Sequence, residues 1–149
     1  MTVLIREAEP ADLPPMQRVE SRCFGRDSFT PEMMSYLIEK ECFHTWVAFS
    51  GDRMVGYASL MDRSGLPETR LLSIAVVPEE RLKGVGRSLL SKVLEFSRER
   101  EKKVTLEVRL SNVPAINMYL RSGFRVIGII AGYYCDDSGE EDALYMEHP

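Results

Sequence analysis

The sequence predicts a single α/β domain: a mixed, mostly antiparallel central sheet of about seven strands flanked by about four helices. Three observations carry this prediction. Apolar residues recur at period two in several short segments and at helical spacing in others. The two kinds of segment interleave in the order β-α-α-β-β-β-α-β-α-β-β rather than segregating. The 149 residues, 44% hydrophobic and 28% charged, suit one soluble core, and no linker, low-complexity tract or internal repeat divides residues 1–149. A chain of this length buries roughly 70% of the surface its unfolded form exposes, so it needs no disulfide or metal staple.

Each element has a local reason. Residues 3–7 read as a first strand. Residues 11–23 read as a helix entered through Glu9-Pro10, with Asp12 in its first turn and Pro14 and Pro15 near its start. Thr30 as N-cap and Pro31 at the first helical position open a second helix that reaches about Lys40. The period then changes. Residues 45–49 and 54–61 are rich in strand formers and joined across Gly51-Asp52, a hairpin signal. Residues 69–77 are the most apolar stretch, with Leu71, Leu72, Ile74, Ala75, Val76 and Val77 on both alternation faces. That pattern predicts a strand buried on both sides, and Pro78 ends it.

From Gly84 a long helix runs to about Arg100, with Leu89, Val93 and Phe96 on one face and Leu90 and Leu94 beside them. Arg98, Arg100, Lys102 and Lys103 crowd its C-terminal end, where the helix dipole favours cations. Residues 104–109 alternate strictly, Val104, Leu106 and Val108 against Thr105, Glu107 and Arg109. A short helix at 113–122 is expected to turn Val113, Ile116 and Leu120 inward and to end at Gly123. Residues 124–131 and 143–146 read as two closing strands around an acidic loop.

Composition excludes several classes of function. A formal net charge of −4 argues against nucleic acid as the main partner, since phosphate binding needs a basic face. No apolar run approaches the ~20 residues of a membrane span. The first residues, Met1-Thr2-Val3-Leu4-Ile5-Arg6, lack the basic segment and long apolar region of a signal peptide. Cys23, Cys42 and Cys135 form no C-x-x-C pair and leave an odd one over, a usage that fits a reducing compartment and no structural zinc. The expectation is a cytoplasmic protein, a monomer or weak homodimer, with no metal, membrane or nucleic-acid partner.

The segment from Val77 to Arg87 joins the most apolar strand to the long helix and carries Gly84 and Gly86 among Arg81, Lys83 and Arg87. Glycines bring backbone N–H groups close to a ligand, and a helix N-terminus adds partial positive charge, so the loop reads as a pyrophosphate cradle. A solvated helix start with glycines for tight packing is the alternative. No G-x-x-x-x-G-K-[ST] string occurs. A Rossmann fingerprint would need a third glycine where Leu89 stands, although Glu107 lies at the distance of its acidic residue. That strand normally opens its domain, whereas four strands precede this loop.

Arg81-Leu82-Lys83-Gly84-Val85-Gly86 fits a third pattern, [RQ]-x-x-G-x-[GA]. It resembles the acetyl-CoA pyrophosphate loop of the GNAT superfamily of N-acetyltransferases, and the element order is similar over residues 2–146. The stretch LEVRLSNVPAINMYLRSGF at 106–124, with Gly132-Tyr133-Tyr134 and Glu141-Asp142-Ala143, resembles the RimI branch. That branch comprises N-terminal protein acetyltransferases, including the ribosomal-protein alanine acetyltransferase.

The resemblance implies a GNAT-like fold, acetyl-CoA as donor, and a set of roles. The backbone of Ile74, Ala75 and Val76 would bond the pantetheine, with the Val76 N–H polarising the thioester carbonyl. Arg81, Leu82, Lys83, Gly84, Val85, Gly86 and Arg87 would hold the pyrophosphate, and Asn112 would contact the cofactor arm. Asn112 read alone is equally an N-cap. Glu107 would be the general base and Tyr119 the acid that protonates the departing sulfur. Read alone, Glu107 is an edge-strand carboxylate paired with Arg109, and Tyr119 a core tyrosine with a satisfied hydroxyl. A covalent route through a cysteine thiolate would need a histidine partner, and no such pairing with His44 or His148 is readable.

The acceptor is narrowed by acid–base chemistry. At a pH of about 7.4, roughly a quarter of α-amino groups are neutral, against about one in a thousand lysines, so lysine costs on the order of 3.5 kcal/mol more to deprotonate. One carboxylate suits the easier α-amine. The resemblance places Tyr133 and Tyr134 beside an incoming peptide, a ribosomal protein being one such partner. The acidic loop with Asp136, Asp137, Glu140, Glu141 and Asp142 is either a lure for a cationic amine or a solvated hairpin. The RimI branch often has Pro-Trp in the turn between its first two helices. This chain reads Phe24-Gly25-Arg26-Asp27-Ser28-Phe29 there, which leaves the first-residue preference open. A lysine or small amine as acceptor, and a non-catalytic CoA-binding module, are the alternatives.

Overall fold

The elements follow the order inferred from the sequence: β1 (Leu4–Glu7), α1 (Leu13–Phe24), α2 (Pro31–Glu39), β2 (Phe43–Ser50), β3 (Arg53–Asp62), β4 (Glu68–Val76), α3 (Val85–Glu99), β5 (Lys103–Arg109), α4 (Val113–Arg121), β6 (Arg125–Asp136) and β7 (Gly139–His148). The structure is a computed structural model that describes residues 2–149; Met1, counted above with the N-terminal segment, lies outside the described residues. The strands form one seven-stranded sheet in the order β1-β2-β3-β4-β5-β7-β6. Every neighbouring pair is antiparallel except β4 and β5, whose connection crosses over through α3.

Strand alternation on β3 shows how the helices divide between the faces. Tyr57 turns to α1 and α2, where its hydroxyl meets Glu20, whereas the adjacent Gly56 faces Leu89 of α3. Helix α2 starts as expected, with the Thr30 hydroxyl accepting from the Met33 amide at 3.2 Å. Helix α1 starts two residues later than expected because Pro10–Asp12 forms a 3-10 turn. The Asp12 carboxylate explains that turn: it accepts the Glu9 amide at 2.7 Å and a bidentate pair from Arg6 at 2.7 and 2.9 Å. Helix α3 buries Leu89, Leu90 and Val93 of the stripe read from its spacing, and Val85 besides, while Leu94 and Phe96 stay half-buried.

Three local expectations are corrected. Strand β4 is not buried on both sides, since Leu72, Ser73, Ile74 and Val76 stay half-exposed. Its pairing with β5 stops at Arg70, and beyond that residue β3 is its one neighbour among the described strands. Helix α4 does not turn Val113 and Leu120 inward; they are 55% and 46% exposed, and Tyr119 is its buried residue. The helix lies rotated by about one residue, roughly 100°, from the expected stripe. The acidic loop is largely strand. Residues 132–136 belong to β6 and 139–142 to β7, leaving a two-residue turn.

One buried polar cluster fastens the end of the turn that leads into α2. Glu20 is 3% exposed and accepts hydrogen bonds from the Phe29 amide at 2.8 Å and from the Tyr57 hydroxyl. Burial pushes its carboxyl above the ordinary range, against the pull of the two donors. Glu20→Ala should therefore cost about 2–4 kcal/mol, from two orphaned donors and a void. A group raised on folding stabilises most below its unfolded pKa, and this is lost as pH rises through the folded value. The Tm gap between wild type and Glu20→Ala should thus be widest in acid and narrow toward neutrality, which a calorimetric pH series checks.

Candidate active site

Strands β4 and β5 run side by side for only three residues, Glu68, Thr69 and Arg70 opposite Lys103, Val104 and Thr105. Beyond them β4 continues beside β3, and β5 continues beside β7 as far as Arg109. The outer halves of the two strands therefore face each other across a gap. The Val77 amide donates to Val55 of β3 at 2.9 Å, so the Val76 carbonyl in the same peptide points the other way, into the gap. There it accepts from the Arg81 Nε at 2.9 Å and the Cys23 thiol at 3.3 Å. In a strand the N–H and C=O of one residue share a side, so the Val76 N–H also faces the gap.

The glycine loop closes one end of this gap. Helix α3 starts after Gly84, which sits at φ 87°, and no side chain caps it. The first-turn N–H groups of Val85, Gly86 and Arg87 consequently lack intrahelical partners. The two glycines answer to different needs. A Cβ on Gly84 would meet nothing within 4 Å, so its conformation alone calls for glycine. A Cβ on Gly86 would stand 3.2 Å from Met118 Sδ of α4 and 3.7 Å from Val76, so Gly86 lets α3, α4 and β4 approach closely.

The loop's three cations are committed differently. Arg81 is folded onto the Val76 carbonyl, and Lys83 pairs with Glu80 at 3.0 Å. Arg87 is exposed and has no ion-pair partner among the described residues. Ahead of the loop, Glu79 bridges Arg22 of α1 and Arg53 of β3 at 2.6 and 2.9 Å. The Arg22 guanidinium above all holds the Glu79 carboxyl down at about 2. Unpaired N–H groups, a helix dipole, open space over Gly84 and one free arginine fit an anionic diphosphate. Leu82 is fully exposed at φ 66°, a strained position for a branched side chain.

Glu107 sits on the far side of the gap. Its strand is central, between β4 and β7, so the edge-strand alternative does not hold. Nor does the pairing with Arg109. Arg70 of β4 donates from Nε to Glu107 Oε2 at 3.1 Å and from its other nitrogen to the Tyr133 hydroxyl at 2.8 Å. Glu107 Oε1 has no hydrogen-bond partner among the described residues, and the side chain borders a cavity of about 400 Å³ lined by Met61, Arg63, Arg70, Thr105, Tyr133 and Tyr145 among others. Arg70 is the residue that sequence reasoning missed. Its only local signal is a charge inside an apolar strand.

Alternation would put Tyr133 and Tyr134 on opposite faces of β6. Instead the pairing with β7 skips from Ile130 to Tyr134, a bulge in which Gly132 takes φ 63° and donates to Asp142 at 2.9 Å. Both rings then face the site, edge to face at 4.9 Å. Tyr134 lies beneath the Arg109 guanidinium at 4.2 Å. Burial, then Tyr133, pushes the Tyr134 phenol up to about 12, with Arg109 opposing.

Tyr119 packs its ring on Phe124 at 5.5 Å, as a core tyrosine would. Its hydroxyl, however, makes no hydrogen bond among the described residues. Burial, with Tyr134 adding to it, raises this phenol far above its ordinary value, so it stays protonated. Asn112 takes the capping role, accepting the Ala115 amide at 3.3 Å. Cys23, Cys42 and Cys135 are free thiols, and burial raises the Cys23 thiol.

The model of the acetyltransferase (GNAT) family matches residues 13–124. The chain belongs to that family. It is an acyltransferase, and its donor is acetyl-CoA. The chain is 30% identical over 146 residues to the [ribosomal protein bS18]-alanine N-acetyltransferase of Escherichia coli K12, covering 97% of this chain and 96% of that one. The crystal structure of the ribosomal-protein-S18-alanine N-acetyltransferase from Escherichia coli superposes with a TM-score of 0.89 at 29% identity, over 99% of this chain and 94% of that chain. The resemblance to the RimI branch is borne out. A second kind of relative, streptothricin acetyltransferase of Streptomyces lavendulae, is 36% identical over 108 residues, 70% of this chain and 57% of that protein. The nucleotide-binding alternative falls away.

A ligand that binds only the folded state raises its stability. Acetyl-CoA and CoA should raise Tm, whereas NAD and ATP should not; equal protection by NAD would overturn the assignment of the loop. Gly84→Ala adds a methyl group where the protein has space but an anion would approach. It should weaken CoA binding about tenfold or more in calorimetry, while the strain of a non-glycine residue there costs the fold only about 1–2 kcal/mol.

Proposed function

We propose that this protein acetylates the α-amino group of a protein N-terminus. The observation that carries the reading is the state of Glu107: one oxygen held by Arg70, the other free beside a cavity and a tyrosine pair. When bound, acetyl-CoA supplies an activated thioester and a thiol leaving group. Leu82, Lys83, Gly84, Val85, Gly86 and Arg87 hold its pyrophosphate, chiefly through backbone N–H groups. Arg81 acts at one remove, holding the Val76 carbonyl. Ile74 and Val76 offer their backbone groups to the pantetheine along the open edge of β4, while those of Ala75 between them turn to β3, and the Val76 N–H stabilises the developing oxyanion. Asn112 caps α4 beside the arm, with its amide NH₂ left to donate.

Glu107 Oε1 accepts the proton of the incoming ammonium, directly or through one water, while Arg70 fixes the carboxylate rotamer through Oε2. The Tyr119 hydroxyl, protonated and without a protein partner, donates to the departing sulfur. Tyr133 and Tyr134 flank the acceptor backbone. A single carboxylate with no second base suits an amine that ionises near neutrality. The similarity to the bS18-alanine enzyme supports a ribosomal-protein N-terminus as acceptor and the cytoplasm as its place of action. We retain the monomer or weak homodimer as the oligomeric reading. A second reading, a small-molecule amine or a lysine, is favoured by the match to streptothricin acetyltransferase.

Mass spectrometry of peptides varied at their first two residues, run beside a lysine peptide and a small polyamine with acetyl-CoA, decides the acceptor. N-terminal products alone are expected; lysine or polyamine products alone would replace the reading. The roles of base and acid separate by pH. Glu107→Gln should lower kcat about 100-fold or more, with partial recovery toward pH of about 9.5, where more amine is already neutral. Tyr119→Phe should lower kcat without that recovery, because raising pH supplies no proton. Wild-type rates in folded Glu107→Gln would leave that carboxylate as only the partner of Arg70.

A further inference from the structure

Two segments border the site on the face that carries Glu107: the turn between α1 and α2, and the hairpin of β6 and β7. The turn ends at Phe29, whose amide is held by the buried Glu20 carboxylate. Its tip, Arg26 and Asp27, reaches instead toward the hairpin. Two ties cross there. Arg26 meets Asp137 at 3.2 Å, but both side chains are almost fully exposed, and such pairs contribute little.

The other tie runs through Arg109. Its guanidinium lies 3.8 Å from Asp27 of the turn, 3.6 Å from Asp136 of β6 and 3.0 Å from Glu141 of β7, and it stacks over the Tyr134 ring. The side chain is less than one-third exposed. Glu141 in turn accepts the Ser111 amide at 2.8 Å, at the end of the strand that carries Arg109. That donor, with Arg109, holds the Glu141 carboxyl below the ordinary range, so it stays ionised at neutral pH. One planar cation thus joins three segments and fixes the face of a tyrosine in the site, a geometry lysine cannot reproduce.

We propose that Arg109 is a positioning residue: it holds the α1–α2 turn and the β6–β7 hairpin at a set separation and so fixes the slot through which an acceptor reaches Glu107. The mention of an acceptor slot rests on the N-terminal acetyltransferase reading; the tie between the two segments does not.

The test has two arms. Hydrogen–deuterium exchange of the protein without ligands compares wild type with Arg109→Gln, Arg109→Lys and Asp27→Asn. In the Arg109 variants amide exchange should rise about tenfold or more in residues 25–29 and 132–138 together, with α3 unchanged and thermal protection by CoA retained. Asp27→Asn alters an exposed side chain, so it keeps the fold and should loosen the turn alone. Unchanged exchange in folded Arg109→Gln, or loosening of the hairpin without the turn, overturns the proposal. In the second arm, for peptides that the wild type acetylates, acceptor KM should rise about tenfold in Arg109→Lys while kcat stays within about threefold. A fall in kcat with KM unchanged would also overturn it. If the wild type acetylates no peptide, the acceptor reading fails while exchange still decides the role of Arg109.

Discussion

A parallel strand pair normally stays in register along its length, because each further residue adds ladder hydrogen bonds. Here β4 and β5 part after three residues, and the candidate active site exists because they do. The parting leaves a strip of β4 backbone with donors and acceptors that no strand uses. It also leaves Ile74 and Val76 half-covered and gives the start of α3 a gap to face. Unmade backbone hydrogen bonds are costly when buried, so such a strip must be wet or filled by a ligand that bonds as a strand would. A pantetheine arm, with its two amides, is a ligand of that kind. The bulge in β4 opposite Ser59 and Leu60 marks where the strand changes its alternation as it leaves β5.

Charge is organised around that gap by arginines that each serve more than one segment. Arg22 and Arg53 clamp Glu79 before the glycine loop, Arg81 ties the loop to Val76, and Arg70 joins Glu107 to Tyr133. Arg109 joins the two segments at the mouth of the site. Guanidinium groups suit this work because they stay charged and present several donors in fixed directions. The proposed base and the proposed acid stand in different surroundings. Glu107 is held by Arg70 across the strand pair. Tyr119 sits buried among aromatic rings, which favours its neutral form. On the proposed roles, one site would accept a proton at one point and deliver one at another.

Much of the fold is legible in the sequence. Thr30 and Pro31, Gly84, the α3 stripe and the alternation at 104–109 are signals within a few residues, and each element they mark is found. Val113 and Leu120 were misplaced because a nine-residue helix has too few turns to define its apolar face when tyrosine can join either side. The two-sided burial read for β4 failed because an apolar strand looks the same whether its second face meets protein or a ligand. In the sequence Tyr119 fits a core position, and the family resemblance makes it an acid. The ring is core, and the hydroxyl, without a hydrogen-bond partner among the described residues, is the group proposed as the acid.

By itself the sequence determined what depends on neighbours along the chain: the order of elements, their caps, the glycine loop ahead of α3, and the polar face of β5 that holds Glu107. Only the tertiary structure decided which groups meet across long separations. Arg70 reaches Glu107 over 37 residues and Tyr133 over 63, and the bulge at residues 131–133 turns two consecutive tyrosines to one side. The reason is physical. Backbone hydrogen bonding and periodicity act locally and leave a pattern in the chain. An ion pair forms between whichever opposite charges the packed sheet brings together, and Glu107 was placed within reach of Arg70 rather than Arg109 by the register of two parallel strands.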